Sequence, residues 1–162
     1  MTIIEDTRNQ VGKHNLKNEY FKEQGISVIR NKLPYGDYAV CPSISVDTKK
    51  DVYELLYDID TDHRRFKAEC VNAKEHGCQL YVLVENTDGI IDLLSLSEWT
   101  EPDFHFDMRL YKSGNPRTRR YEGLRLARAC ETMSTRYGVQ FLFCTPEESG
   151  QRIIELLEGV HE

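Results

Sequence analysis

The 162 residues are 40% apolar, enough for one hydrophobic core. No run approaches the roughly 20 apolar residues of a membrane span, and the N-terminal MTIIEDTRNQ lacks a basic region followed by an apolar stretch, so an intracellular, cytoplasmic protein with no secretory signal is expected. The net charge of −6 by itself argues against a nucleic-acid partner, yet the segment 107–136 carries eight Lys or Arg against three acidic residues, a net +5 that leaves −11 for the rest.

In chain order, TIIED predicts a short strand at 2–6. A helix follows over 13–25, with Leu16, Tyr20 and Phe21 at helical spacing and Gly25 as its stop. ISVIRNKL is a strand, PYGD a turn, and YAVCP with ISVDTKK an antiparallel pair turning at Pro42-Ser43. The period then changes to helical for DVYELLYDI and HRRFKAECVNAKEHG, the second ending at Gly77. QLYVLVEN has the near-continuous apolar character of a central strand covered on both faces. DGIIDLLSL predicts a short helix, Trp99 anchors a loop, and KSGNPRTRR is a basic loop. The chain then predicts a long helix over 120–138, a buried strand VQFLFC, and a last helix capped by Thr145 with Pro146 in its first turn. This order predicts one α/β domain over 1–162, a central mixed sheet flanked by helices. The five cysteines are odd in number and widely spaced, with no C-x-x-C pair. They read as reduced, mostly buried small side chains, not as a zinc site or disulfide framework.

Asp37 and Asp47 raise a chemical question. If the strands bearing them are neighbours, their carboxylates converge, and two such groups resist joint ionisation unless a cation sits between them. Mg²⁺ or Mn²⁺ suits oxygen ligands of this kind. Lys49 lies two residues beyond Asp47 and so faces the same way on a strand. An ammonium there positions or deprotonates a water, or neutralises charge developing on a phosphate. Taken alone, Asp-x-Lys is an ordinary pattern of a solvated strand.

Five short motifs in order change that weighting. IIEDTR, LPYGDYAV, ISVDTKKD, HRRFKAE and LYVLVEN resemble the succession found in the XPF-type nuclease domain, the family of XPF and archaeal Hef, within the PD-(D/E)xK nuclease class. The resemblance covers residues 2 to about 86 by motif and the remainder by its helix–strand–helix order. It implies a restriction-endonuclease-like fold and a metal-dependent DNA endonuclease acting on flapped or branched DNA, in repair or recombination. It also implies that Asp37 and Asp47 bind Mg²⁺ or Mn²⁺, that Lys49 is catalytic, and that Asp6, Glu69 and Glu85 support the site. Arg8 matches the basic residue of the first motif, and either pairs with Asp6 or contacts phosphate. Arg64, Arg65, Arg117, Arg119 and Arg120 are the candidates for DNA backbone contact. His63 is a helix-start residue within reach of the same surface.

The sequence departs from the family pattern at three places. Asp47 stands where the family has Glu, Thr48 where it has Arg, and Tyr53 where it has a final Asp; Asp51 and Glu54 are the nearby substitutes. These changes keep open a second reading, a catalytically degenerate DNA-binding or scaffold subunit beside an active nuclease. The chain ends at Glu162 without the helix-hairpin-helix module usual in the family, so pairing as a homodimer or with a partner protein is expected. A compact form of this size suits a phage or prophage, which would place it in the host cytoplasm.

Overall fold

The computed structural model describes residues 1–101 and 123–159. In chain order they form β1 (Thr2–Asp6), α1 (Asn15–Glu23), β2 (Ser27–Asn31), β3 (Tyr38–Cys41), β4 (Ile44–Lys49), α2 (Val52–Asp60), α3 (His63–Glu75), β5 (Gln79–Glu85), α4 (Leu93–Glu98), α5 (Gly123–Tyr137), β6 (Gln140–Cys144) and α6 (Ser149–Glu158). The basic loop expected at 112–120, with Arg117, Arg119 and Arg120, lies outside the described residues.

The six strands make one sheet in the order β2-β1-β3-β4-β5-β6. β1 runs parallel to β2 and antiparallel to β3, β3 is antiparallel to β4, and β4, β5 and β6 are mutually parallel. The sheet is therefore mixed, as the sequence predicts. The β3–β4 hairpin pairs Tyr38 with Val46 and turns at Pro42-Ser43.

Helices cover both faces because each strand feeds two cores alternately. On β5, Leu80, Val82 and Val84 pack with α2, α3, α4 and α5, through Leu55, Phe66, Leu96 and Cys130 among others. Tyr81 and Leu83 face the other way, against Phe21 of α1 and Ile153, Leu156 and Leu157 of α6. Each fully buried side chain of this size contributes about 1.5–3 kcal/mol of transfer free energy. No helix among the described residues is long and apolar enough to cross a membrane. All five cysteines are free; Cys41 is exposed and the other four are buried.

Two expectations change. Helical spacing groups Leu16 with Tyr20 and Phe21, but Leu16 is exposed and Lys17 is the buried residue of that turn. Lys17 and Phe21 are four residues apart and share a face; the helix turns that face inward because Phe21 fills the core and Glu85 receives the Lys17 ammonium. The last helix begins later than Thr145. Thr145 and Glu148 form a reciprocal pair, Thr145 N donating to Glu148 Oε2 at 2.9 Å and Glu148 N to Thr145 Oγ1 at 3.4 Å. That pair closes a turn over 146–148, and regular helix starts at Ser149.

Candidate active site

The strand ends around β4 are where the fold collects its charge. Asp37 sits between β1 and β4 just ahead of β3: Asp6 N donates to its carbonyl at 2.8 Å, and its own N–H donates to Val46 O at 2.8 Å. Its side chain then continues the ladder where the backbone stops. Thr48 N and Thr48 Oγ1 both donate to Asp37 Oδ2, at 2.9 and 2.5 Å. Thr48, placed where the resemblance has Arg, thus fixes a carboxylate.

Gly36 makes this arrangement possible. Its φ is 63°, and a Cβ there would lie 2.7 Å from Ser45 Oγ and 2.8 Å from Val46 O. The turn therefore approaches β4 closely enough only without a side chain. Glu69 of α3 locks it from outside, accepting from Gly36 N at 3.0 Å.

Asp47 and Lys49 face the same side of β4, as their spacing predicts. Lys49 Nζ lies 2.7 Å from Asp47 Oδ2 and 2.6 Å from Asp58 Oδ2, with the ammonium 5.3 Å from the centre of the Phe66 ring. All three charged groups are buried. Asp47 Oδ2 and Asp58 Oδ2 are buried, and the Lys49 ammonium is the close partner of both. Burial works against the Lys49 charge, but Asp47 and Asp58 outweigh it and raise its proton affinity well above the usual value. Burial, with the negative charges of Asp37 and Glu69, pushes Asp47 up to about 7 despite the opposing Lys49.

Asp58 was not among the residues expected at the site. It lies on α2 beside the apolar stripe of Leu55 and Ile59, and an acid within the buried face of an amphipathic helix was the available cue. The two acids beside Tyr53 are engaged with the start of α2. Asp51 caps α2 by accepting from Glu54 N at 2.8 Å, and Glu54 accepts from Lys50 N at 2.8 Å. Tyr53 is exposed and packs edge-on against Trp99.

The remaining candidates divide by position. Asp6 is buried behind the cleft, not in its wall. It binds Arg8 through backbone and side chain and accepts from Leu33 N at 3.2 Å. Burial opposes ionisation, but these bonds and the Arg8 charge hold its carboxyl below the usual range. Arg8 also donates to Leu33 O at 2.9 Å while staying largely exposed. Arg65 reaches Asp58, Asp62 and Glu69, at 3.2, 2.5 and 3.6 Å. Arg64 is exposed on α3 and does not line the cleft, and His63 begins that helix beside a different groove. Glu85, at the end of β5, pairs with Lys17 and accepts from Ser149 Oγ at 2.8 Å.

Several of these groups line a cleft of about 440 Å³. Asp37, Asp47, Glu54 and Glu85 supply four acids to its walls, and Arg8, Lys13, Lys17, Lys49, Lys50 and Arg65 six cations. Asp37 and Asp47 supply two carboxylates of the oxygen chemistry that a hard cation takes together with water and phosphate oxygens. Among the described residues no group of three or more His, Cys, Asp or Glu stands close enough to form a complete metal cage.

No protein-family model and no curated protein matches the sequence. Among solved structures, 98% of the chain superposes on XPF from Aeropyrum pernix with a TM-score of 0.65 and 19% identity, covering 64% of that chain. XPF from Aeropyrum pernix in complex with DNA matches over 97% of this chain, with a TM-score of 0.63 and 20% identity, covering 63% of that one. The chain thus spans a little under two thirds of the proteins it resembles, and its architecture is the restriction-endonuclease-like fold of XPF-type nucleases.

Proposed function

We propose that the protein is a divalent-metal-dependent DNA endonuclease that hydrolyses phosphodiester bonds in flapped or branched DNA. The observation that carries this reading is the meeting of Asp37, Asp47 and Lys49 in one cleft wall, with Lys49 Nζ 2.7 Å from Asp47 Oδ2 and Thr48 N holding Asp37 Oδ2 at 2.9 Å. Asp37 and Asp47 are the residues to hold Mg²⁺ or Mn²⁺. Bound there, the ion supplies Lewis-acid polarisation of the phosphate and a more acidic water. The fold shared with an XPF in complex with DNA supports nucleic acid as the substrate.

Lys49 acts as a fixed positive charge. Asp47 and Asp58 keep its proton on, so it neutralises charge gathering on the phosphate and does not serve as a base. Thr48 aims Asp37, Glu69 sets the turn before it, and Asp6 ties the β1 end to Arg8 and Leu33. Arg8 and Arg65 border the cleft for backbone contact, and Arg64, Arg117, Arg119 and Arg120 are further residues for that role. The chain works as a homodimer or beside a partner protein.

The test is cleavage of labelled flap and junction DNA with Mg²⁺, Mn²⁺ or EDTA, comparing wild type with Asp47→Ala. Metal-dependent cleavage that disappears in the variant supports the enzyme. A second reading, a non-catalytic DNA-binding or scaffold subunit, draws on Tyr53, whose exposed ring offers no carboxylate where the resemblance has an Asp. Intact DNA binding with no cleavage by either protein favours it.

A further inference from the structure

The wall of the cleft nearest α1 carries charge that the metal-and-lysine chemistry does not use. α1 begins at Asn15 with His14 as its N-cap, and that side chain makes no capping hydrogen bond. The amides of the first turn therefore lack the usual side-chain acceptor. No acid lies in that turn. Instead Lys13, His14 and Lys17 line the cleft around it. Cations at the positive end of a helix dipole repel it and favour an anion. Glu85 answers Lys17, but Glu54 meets Lys13 only at 3.9 Å.

A second observation points to a ligand at the same place. His14 is 93% buried, being only 7% exposed, and its Nδ1 has no hydrogen-bond partner. Asn9, also in the cleft wall, has a buried Nδ2 donor with no partner. Buried polar groups left unpaired are costly and uncommon in folded proteins.

We propose that the N-terminal end of α1, with Lys13, His14 and Lys17, is a phosphate-binding subsite of the cleft that holds a phosphate of the nucleic-acid strand beside the one at the carboxylates. The subsite rests on the nucleic-acid reading above but not on cleavage. It takes either an internal phosphodiester or a terminal phosphate. The helix amides donate to the phosphate oxygens, and the ammonium groups neutralise the charge. Glu85 keeps Lys17 extended across the base of the cleft.

The test is binding to the full chain in EDTA, so that no result depends on metal or turnover. Inorganic phosphate and short single-stranded oligonucleotides, with a 5′-phosphate or a 5′-hydroxyl, are titrated while backbone amide resonances are followed. The Asn15, Leu16 and Lys17 amides are expected to shift with each ligand. Lys13→Gln, at an exposed position, is expected to weaken oligonucleotide binding about threefold to tenfold and to lower the salt-dependence slope by about 0.7. Equal affinity for the two oligonucleotides assigns an internal diester, and tighter binding of the phosphorylated one a terminal phosphate. Because Lys17→Met removes a buried partner of Glu85, its fold is checked by circular dichroism and Lys13→Gln carries the decision. Unmoved amides at 15–17, or an unchanged affinity and salt slope in Lys13→Gln, overturn the subsite. Loss of cleavage in Asp47→Ala with these shifts intact separates it from the fate of the nuclease reading.

Discussion

Thr48 gives both its backbone amide and its hydroxyl to one oxygen of Asp37, at 2.9 and 2.5 Å. Two donors on one carboxylate oxygen hold the orientation of Asp37 in the cleft wall. Thr48→Val keeps the shape and removes the hydroxyl. We expect a loss of about 1 kcal/mol in urea unfolding, the usual net value of one hydrogen bond. Cleavage is expected to fall much further than stability, with Thr48→Ser restoring most of it. Equal activity in Thr48→Val and wild type means that the hydroxyl does not aim Asp37.

Asp58 shares the Lys49 ammonium with Asp47 at 2.6 Å. Asp58→Ala leaves a buried ammonium with one carboxylate instead of two. Removing one partner of a buried charge pair costs about 3–5 kcal/mol, and the surviving Asp47 contact places this variant at the lower end. Chemical denaturation measures the loss. Stability within a few tenths of wild type means that Lys49 relaxes into solvent and is not held as described.

Asp47 keeps its proton up to about 7 in the folded chain, against 3.8 for a free side chain. An acid whose folded value is raised destabilises the fold as pH rises. Between these values the unfolded chain has released a proton that the folded chain retains, so stability falls from about pH 4 to about pH 7 and then levels. Mn²⁺ competes with that proton. The rise in melting temperature on adding Mn²⁺ is therefore expected to be larger near pH 8 than near about pH 5.5. Asp47→Asn is expected to flatten the pH slope and abolish the Mn²⁺ effect. A Mn²⁺ shift of the same size at both pH values, persisting in Asp47→Asn, removes Asp47 from the ligands.

Gly36 links backbone geometry to the site. Gly36→Ala places a methyl 2.8 Å from Val46 O at a φ of 63°, so the turn must retreat from β4. A cost of about 1–3 kcal/mol is expected from backbone strain at this position. Asp37 moves with the turn, and Glu69 loses its place on the Gly36 amide. Cleavage is expected to be lost even where circular dichroism shows a folded protein; retained activity means that Asp37 tolerates displacement.

Much of the fold was legible because periodicity is a local property. The near-continuous apolar run of β5, the paired strands around Pro42-Ser43 and the stop of α3 at Gly77 follow from short-range geometry. The pairing of Asp47 with Lys49 was legible for the same reason, since residues two apart on a strand share a face. Nothing local told Leu16 from Lys17 as the inward residue of α1. That choice depended on Glu85, 68 positions away in sequence, being ready to receive a buried ammonium.

The sequence by itself therefore determined the elements, their order and the adjacency of one acid to one amine. Only the tertiary structure decided that Asp58 completes the Lys49 triad, that Asp6 withdraws behind the cleft onto Arg8, and that α1 turns its uncapped end toward the carboxylates. The reason is electrostatic. A charge acquires its role from what desolvates and faces it, and those partners meet only when helices from distant parts of the chain close over the sheet.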